Sequence, residues 1–229
     1  MARMLEKLLK NLSEYRKPYQ SIDSTIFGDE RAMHVSWTPV KRGGSSFRTH
    51  KLVQVQNNRI EFKATLWVYI FSLSFAFGGV AFAFFWVFKE NSGNIFYTDF
   101  GSYMPIIIST LLIIVGLSMA IAYNKPRVFD KYTNSFTKGW VNKGKDYTRY
   151  NAKKNNAIGL YEIIALQIVP ERVQSSKSSF LSYELNLMLK DYSRINVIDH
   201  GNLKKLEKDA ERLADFLGVL VWNGCLITT

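Results

Sequence analysis

With one cysteine, Cys225, the chain cannot form an intrachain disulfide, which is what domains kept in a reducing compartment lead one to expect. Its three histidines, His34, His50 and His200, are scattered, and none stands at metal-ligand spacing from another His or Cys. The nearest approach to a ligand pair is Asp199 beside His200. Neighbouring strand residues point to opposite faces, and Gly201 after them marks a turn before a helix. The nucleophile motif G-x-S-x-G and the zinc motif H-E-x-x-H are both missing. One string, GWVNKGKD at 139–146, has the G-x-x-x-x-G-K spacing of a phosphate-binding loop. It places Asp146 where Ser or Thr should hold Mg²⁺, and a carboxylate there repels phosphate. The expectation is a protein that is not an enzyme and holds no metal and no cofactor.

Charge is missing from two long stretches. Residues 64–88, with LWVYIFSLSFAFGGVAFAFFWVF at their core, and 105–123, PIIISTLLIIVGLSMAIAY, contain no ionisable side chain apart from tyrosine. As helices they would extend to about 37 and 28 Å, against a hydrocarbon core of about 30 Å. In the first, only Ser72 and Ser74 interrupt the apolar surface, too little for a soluble amphipathic helix. Trp67, Tyr69, Trp86, Tyr103 and Tyr123 sit near the ends, where aromatic rings favour the headgroup region. The expectation is a transmembrane hairpin, 64–123, with an external loop at 89–104. The first span, more than sixty residues in, is expected to act as an internal signal-anchor rather than a cleaved leader. Gly79 with Ala83, and Gly116 with Ala120, are small residues at four-residue spacing. They can pack the two helices together or support a homo-oligomer. The absence of Asp, Glu, Lys, Arg and His from the spans argues against a proton or ion pathway.

Acidic residues are scarce where basic ones cluster. Residues 1–63 carry 12 Lys and Arg against 6 Asp and Glu, and residues 124–155 carry 9 against 2. The loop between the spans has Lys89 against Glu90 and Asp99. By the positive-inside rule both flanks, and so both ends of the chain, are cytoplasmic. Nearly all of the net +11 lies in those flanks. That placement points to anionic membrane lipids as partners rather than to nucleic acid.

Around the spans, MLEKLLKNLSEYRK spaces Leu5, Leu8, Leu9 and Leu12 as one face of a short helix. It either packs on the protein's own cytosolic domain or lies in the membrane interface. HVSWTPV, KRGGSS and FRTHKLVQVQNNRIEFKA predict strand, turn and strand, with a turn at Asn57–Asn58. The cytosolic N-terminal region is thus 1–63. After the hairpin, 124–229 predicts an antiparallel β meander. PRVFDK and SFTKGWV flank the turn YTNS, GLYEIIALQIVPERV and FLSYELNLMLKD flank QSSKSS, and Asp191–Tyr192–Ser193 turns the chain into Ile195, Val197 and Ile198. The final helix has Asn202 as cap, Leu203, Leu206, Ala210, Leu213, Phe216 and Leu217 as its stripe, and Gly218 as its stop. Whether the segments before and after the hairpin share one sheet is left open by the sequence.

The order FDKYTNSF, YEIIALQI, YELNLMLKD–YSRINVID and DAERLADFLGV resembles the pleckstrin-homology-like (PH-like) domains attached to bacterial inner-membrane proteins. It is also similar to a group of two-span bacterial membrane proteins, some encoded beside antibacterial toxins as candidate immunity proteins. The resemblance covers roughly residues 60–222, and its motifs are structural. It implies an α+β cytosolic domain, a PH-like meander closed by a C-terminal amphipathic helix, in the bacterial inner membrane. It implies binding rather than catalysis, with a toxin or an envelope component as protein partner. The alternative is a scaffold or assembly factor that binds anionic lipid or an envelope complex. The candidate binding surface is the loop at 142–156, where Tyr147 and Tyr150 lie among Lys143, Lys145, Arg149, Lys153 and Lys154.

Overall fold

The computed structural model of the chain describes residues 23–90, 100–139, 157–174 and 178–227. It is an α+β protein with two long apolar helices, and it divides into two units.

One unit, Phe47–Leu160, carries a five-stranded antiparallel sheet and the apolar helices. Strands β1 (His50–Gln56) and β2 (Arg59–Ala64) form a hairpin around Asn57–Asn58, as their alternation predicts. The chain then runs through α1 (Leu66–Glu90) and α2 (Phe100–Tyr123) before returning as β3 (Arg127–Asp130), β4 (Ser135–Lys138) and β5 (Ala157–Gly159). β3 pairs with β2, Phe62 opposite Arg127 and Arg59 opposite Asp130. Strands from before and after the apolar helices therefore do share a sheet, and the helices are an insertion between two neighbouring strands. Asp130 makes the β3–β4 turn, its Oδ1 accepting the N–H groups of Tyr132 (2.8 Å) and Thr133 (3.3 Å). Asn134 takes the left-handed conformation this turn needs, at φ 47°. Phe62, Phe129 and Phe136 pack along one buried face, Phe62 edge-on to Phe129 and Phe129 tilted against Phe136.

Both apolar helices are long and apolar enough to cross a membrane, over Leu66–Phe88 and Tyr103–Tyr123. Their glycines are used inside the pair. A Cβ on Gly79 would lie 2.7 Å from the carbonyl oxygen of Ser109, and one on Gly116 would lie 2.6 Å from that of Ser72. Of the two uses that the small-residue spacing allows, Gly79 and Gly116 serve the close approach of α1 and α2.

The other unit joins Met1–Ser46 to Tyr161–Thr229. Strands β6 (Ile163–Gln174), β7 (Ser179–Leu189) and β8 (Arg194–His200) form an antiparallel meander. Helix α3 (Leu203–Leu217) follows. Asn202 Oδ1 accepts the Lys205 N–H at 3.1 Å, and Gly218 ends the helix at φ 73°, its N–H donating to Ala214 O at 2.7 Å. Leu206, Ala210, Leu213 and Ala214 are buried, while Leu203, Phe216 and Leu217 of the expected stripe are only half-buried.

Two features differ from the sequence expectation. The helix does not close the domain: β9 (Leu220–Asn223) follows it and pairs parallel with β6, giving the strand order β8-β7-β6-β9. In addition, the strands after the apolar helices do not form one meander, because β3–β5 belong to the five-stranded sheet and β6–β8 to the four-stranded one. The boundaries at 63/64 and 123/124 thus fall at the ends of the inserted helices, whereas the units change at 46/47 and 160/161. Pro170 sits in β6 beyond Ile168, the last residue paired with β9, where one side of the strand has no neighbouring ladder to break.

Residues 34–40, expected to form a strand, run as an irregular strap over the four-stranded sheet. Val35 and Trp37 of the strap, with Ala32 and Phe27 just before it, pack on Ala165, Met188 and Trp222. Side chains rather than a neighbouring strand satisfy its polar backbone.

Candidate functional site

The loop residues Lys143, Lys145, Tyr147, Arg149, Tyr150, Lys153 and Lys154 lie outside the described residues, as do the amphipathic segment at 5–12 and Asp146. Two clusters are built by the described residues.

The first is a polar collar at the roots of the apolar helices. A single residue, Thr65, links β2 to α1, and Asn124, Lys125 and Pro126 link α2 to β3. Such short links leave the sheet and the helices little freedom to swing. Thr65 is tied twice to the incoming strand: its N–H donates to Thr49 O (2.9 Å) and its hydroxyl to Arg48 O (2.7 Å). Across the helix pair, the Tyr69 hydroxyl donates to Asn124 Oδ1 at 2.8 Å. His50, buried at the centre, has Nδ1 at 2.8 Å from the Thr49 hydroxyl. Its Nε2 lies 2.7 Å from the Arg127 guanidinium and 3.1 Å from Tyr123 O. A guanidinium only donates, so the Arg127 contact requires an unprotonated Nε2, while Tyr123 O requires a proton there. The ring can serve one of the two at a time. Arg127 also donates to Lys125 O at 3.1 Å, and Arg48 Nε donates to His50 O at 3.2 Å.

Basic residues crowd this collar. Lys51 stands directly opposite Lys63 in the β1–β2 register, and Arg127 stands opposite Lys138 in β3–β4. Glu61 is the one acidic residue between Phe47 and Phe88. Its carboxylate is shared by Arg59 Nε at 2.7 Å and Lys63 Nζ at 3.8 Å.

The second cluster is a carboxylate latch under the strap. Glu184 on β7 accepts the backbone N–H groups of Val40 (Oε2, 2.7 Å) and Lys41 (Oε1, 2.6 Å), and Asn186 Nδ2 donates to it at 3.1 Å. Glu171 on β6 accepts from Gly43 (2.9 Å) and Gly44 (3.1 Å), and the Ser45 N–H donates to Ser182 Oγ at 2.9 Å. Glu171 and Ser182 are register partners, with Glu184 diagonal on the same face. Further along that face the pattern continues: Gln167 Nε2 donates to Ser36 O at 3.1 Å, and Arg194 donates to Thr38 O at 2.6 Å. Gly44 is required by close approach, since a Cβ there would overlap the Ser182 side chain. Burial pushes the Glu184 pKa above the ordinary 4.5, its three hydrogen-bond donors pull it down, and the nearby Asp199 charge pushes it up again. Burial lowers the Arg194 pKa, with the Glu184 charge acting in the opposite sense.

The remaining sequence candidates are dispersed. His34 lies edge-on to Tyr192 at 6.3 Å. His200 Nδ1 accepts the Asn202 N–H at 2.9 Å, so this buried ring shapes the turn into α3. Burial, then the Glu207 charge, pushes the Cys225 thiol up to about 12, so it is protonated and unreactive at neutral pH. Among the described residues no group of three His, Cys, Asp or Glu side chains could hold a metal ion. Sequence reasoning missed the latch and the role of His50. A signal for the latch was present: YELNLML and IVPERV each put a glutamate inside an otherwise apolar strand, where a charge must find partners.

No protein-family model, curated protein or solved structure matches the chain.

Proposed function

We propose that the chain is a non-enzymatic binding protein of the bacterial inner membrane, anchored by the α1–α2 hairpin with both ends in the cytoplasm. The observation that carries this reading is the state of the hairpin surface. Only 17% and 11% of its two apolar spans are buried, whereas the core helix of a soluble protein would be largely buried. Phe77, Phe84, Phe85, Ile114 and Ile121 are among the side chains that would meet lipid. Trp67 and Tyr103 are exposed at the ends of the spans, where an interfacial aromatic belt is expected. The basic flanks favour a cytoplasmic collar. The short links at Thr65 and at 124–126 would hold the five-stranded sheet close to the bilayer.

On the resemblance over roughly residues 60–222, the cytosolic part is read as PH-like and as recognising a protein partner. Neutralising an antibacterial toxin is its most concrete form.

The test is crosslinking of the full-length protein in its native membrane, followed by purification. One stoichiometric protein partner is expected. Turnover of a small molecule that is lost on His200→Ala would contradict the binding reading.

A further inference from the structure

We propose that the collar at the hairpin roots is a headgroup site for anionic phospholipid, formed by Lys51, Lys63 and Lys125. The inference rests on the membrane-anchored reading and names the ligand of its cytoplasmic edge. Its starting point is an arrangement that costs stability in the chain by itself. Lys51 and Lys63 are exposed and directly opposite each other on neighbouring strands, and like charges so placed repel. The Lys51–Lys63 row lies at the end of the sheet where α1 emerges, Lys63 standing two residues before Thr65. Lys125 is exposed within the three-residue link itself. The sequence supplies little compensation: Glu61 is the one acid between Phe47 and Phe88, and there is none between Phe100 and Phe129. Glu61 is already shared by Arg59 and Lys63.

An anion placed between these cations would relieve the repulsion. The position selects which anion. Leu66 and Trp67, both strongly exposed, begin the apolar surface directly beyond the collar. A ligand here must therefore present a phosphate at the collar and acyl chains along α1 and α2. A phosphodiester headgroup of net negative charge meets both demands, whereas free phosphate meets only the first and a zwitterionic headgroup carries its own cation. Each basic residue near an anionic surface strengthens binding about fivefold, so three act together on the order of a hundredfold.

The experiment is a lipid titration of the full-length protein released intact from detergent, with bound lipid counted by native mass spectrometry. The probes are phosphatidylglycerol, phosphatidylcholine and inorganic phosphate. Phosphatidylglycerol should bind in preference to phosphatidylcholine. The combined variant Lys51→Gln, Lys63→Gln, Lys125→Gln should lose affinity for it on the order of a hundredfold, and the wild-type preference should shrink as salt rises. In lipid-free detergent the same variant should be at least as thermostable as the wild type, because it removes the Lys51–Lys63 repulsion. Equal binding of the two lipids, full retention of preference by the variant, or an equal response to inorganic phosphate would each overturn the proposal. Membrane fractionation of the same protein keeps the two readings apart. A chain that is not membrane-embedded refutes the anchor, and an embedded chain without headgroup preference refutes only the collar.

Discussion

Replacing Glu184 by alanine should destabilise the unit containing β6–β9 by roughly 3–5 kcal/mol and free the strap around residues 40–45. The substitution removes the acceptor for three donors at once: Val40 N–H, Lys41 N–H and Asn186 Nδ2. Each donor left buried without a partner costs about 1–3 kcal/mol. The strap would lift to hydrate its backbone, uncovering the apolar seat of Ala32 and Val35 on Ala165, Met188 and Trp222. Amide hydrogen exchange should locate the effect, with protection lost at Val40, Lys41, Gly43 and Gly44. Unchanged exchange there would refute the latch. Glu184→Gln tests the charge separately. The Glu184 pKa is raised above 4.5 in the folded chain, so the folded state holds the proton more tightly than the unfolded one. That contribution to stability is complete below about 4.5 and is lost as pH rises through the raised value. The stability of the wild type relative to Glu184→Gln, which does not titrate there, should therefore fall over that interval.

Leu213→Asp should prevent the same unit from folding. Leu213 is fully buried on α3, and truncating such a side chain alone costs about 2–5 kcal/mol. An unpaired carboxylate in its place adds a desolvation cost of several kcal/mol. The sum reaches the whole stability of a typical domain, about 5–15 kcal/mol. Phe216→Asp should cost less, since Phe216 is half-buried, and Glu211→Lys on the exposed face should cost little. Circular dichroism and thermal melts of the purified variants provide the check. Equal tolerance at all three positions would mean that α3 does not pack on the sheet.

How much of this was legible in the sequence depended on whether the cause was local. Helix α3 announced itself because Asn202, the apolar stripe and Gly218 are all within one segment. The β7–β8 turn was legible for the same reason, with Asp191 Oδ1 accepting the Ser193 N–H at 2.9 Å. The two apolar helices follow from composition alone. Strand β9 was not legible: four residues after a glycine are too short to show a period, and its pairing with β6 reaches across more than fifty residues. Residues 34–40 misled because the spacing of Val35 and Trp37 imitates a strand. Their actual setting is decided by Gln167, Glu184 and Arg194, more than 120 residues away. The partition of strands into two sheets is likewise a long-range outcome, since β2 meets β3 only after the whole hairpin has intervened. For the sites, the basic and aromatic loop at 142–156 was conspicuous in composition, while the collar becomes visible only once the register puts Lys51 beside Lys63.

The proposed anchor has the α1–α2 hairpin crossing a membrane with both ends of the chain on the cytoplasmic side. Fusion reporters test it most directly, with alkaline phosphatase, active only outside the cytoplasm, and a fluorescent protein that matures only inside, each placed after Gly93 and at Thr229. Phosphatase activity without fluorescence is expected at Gly93, and the reverse at Thr229. Fluorescence at both positions, or the opposite assignment, would contradict it.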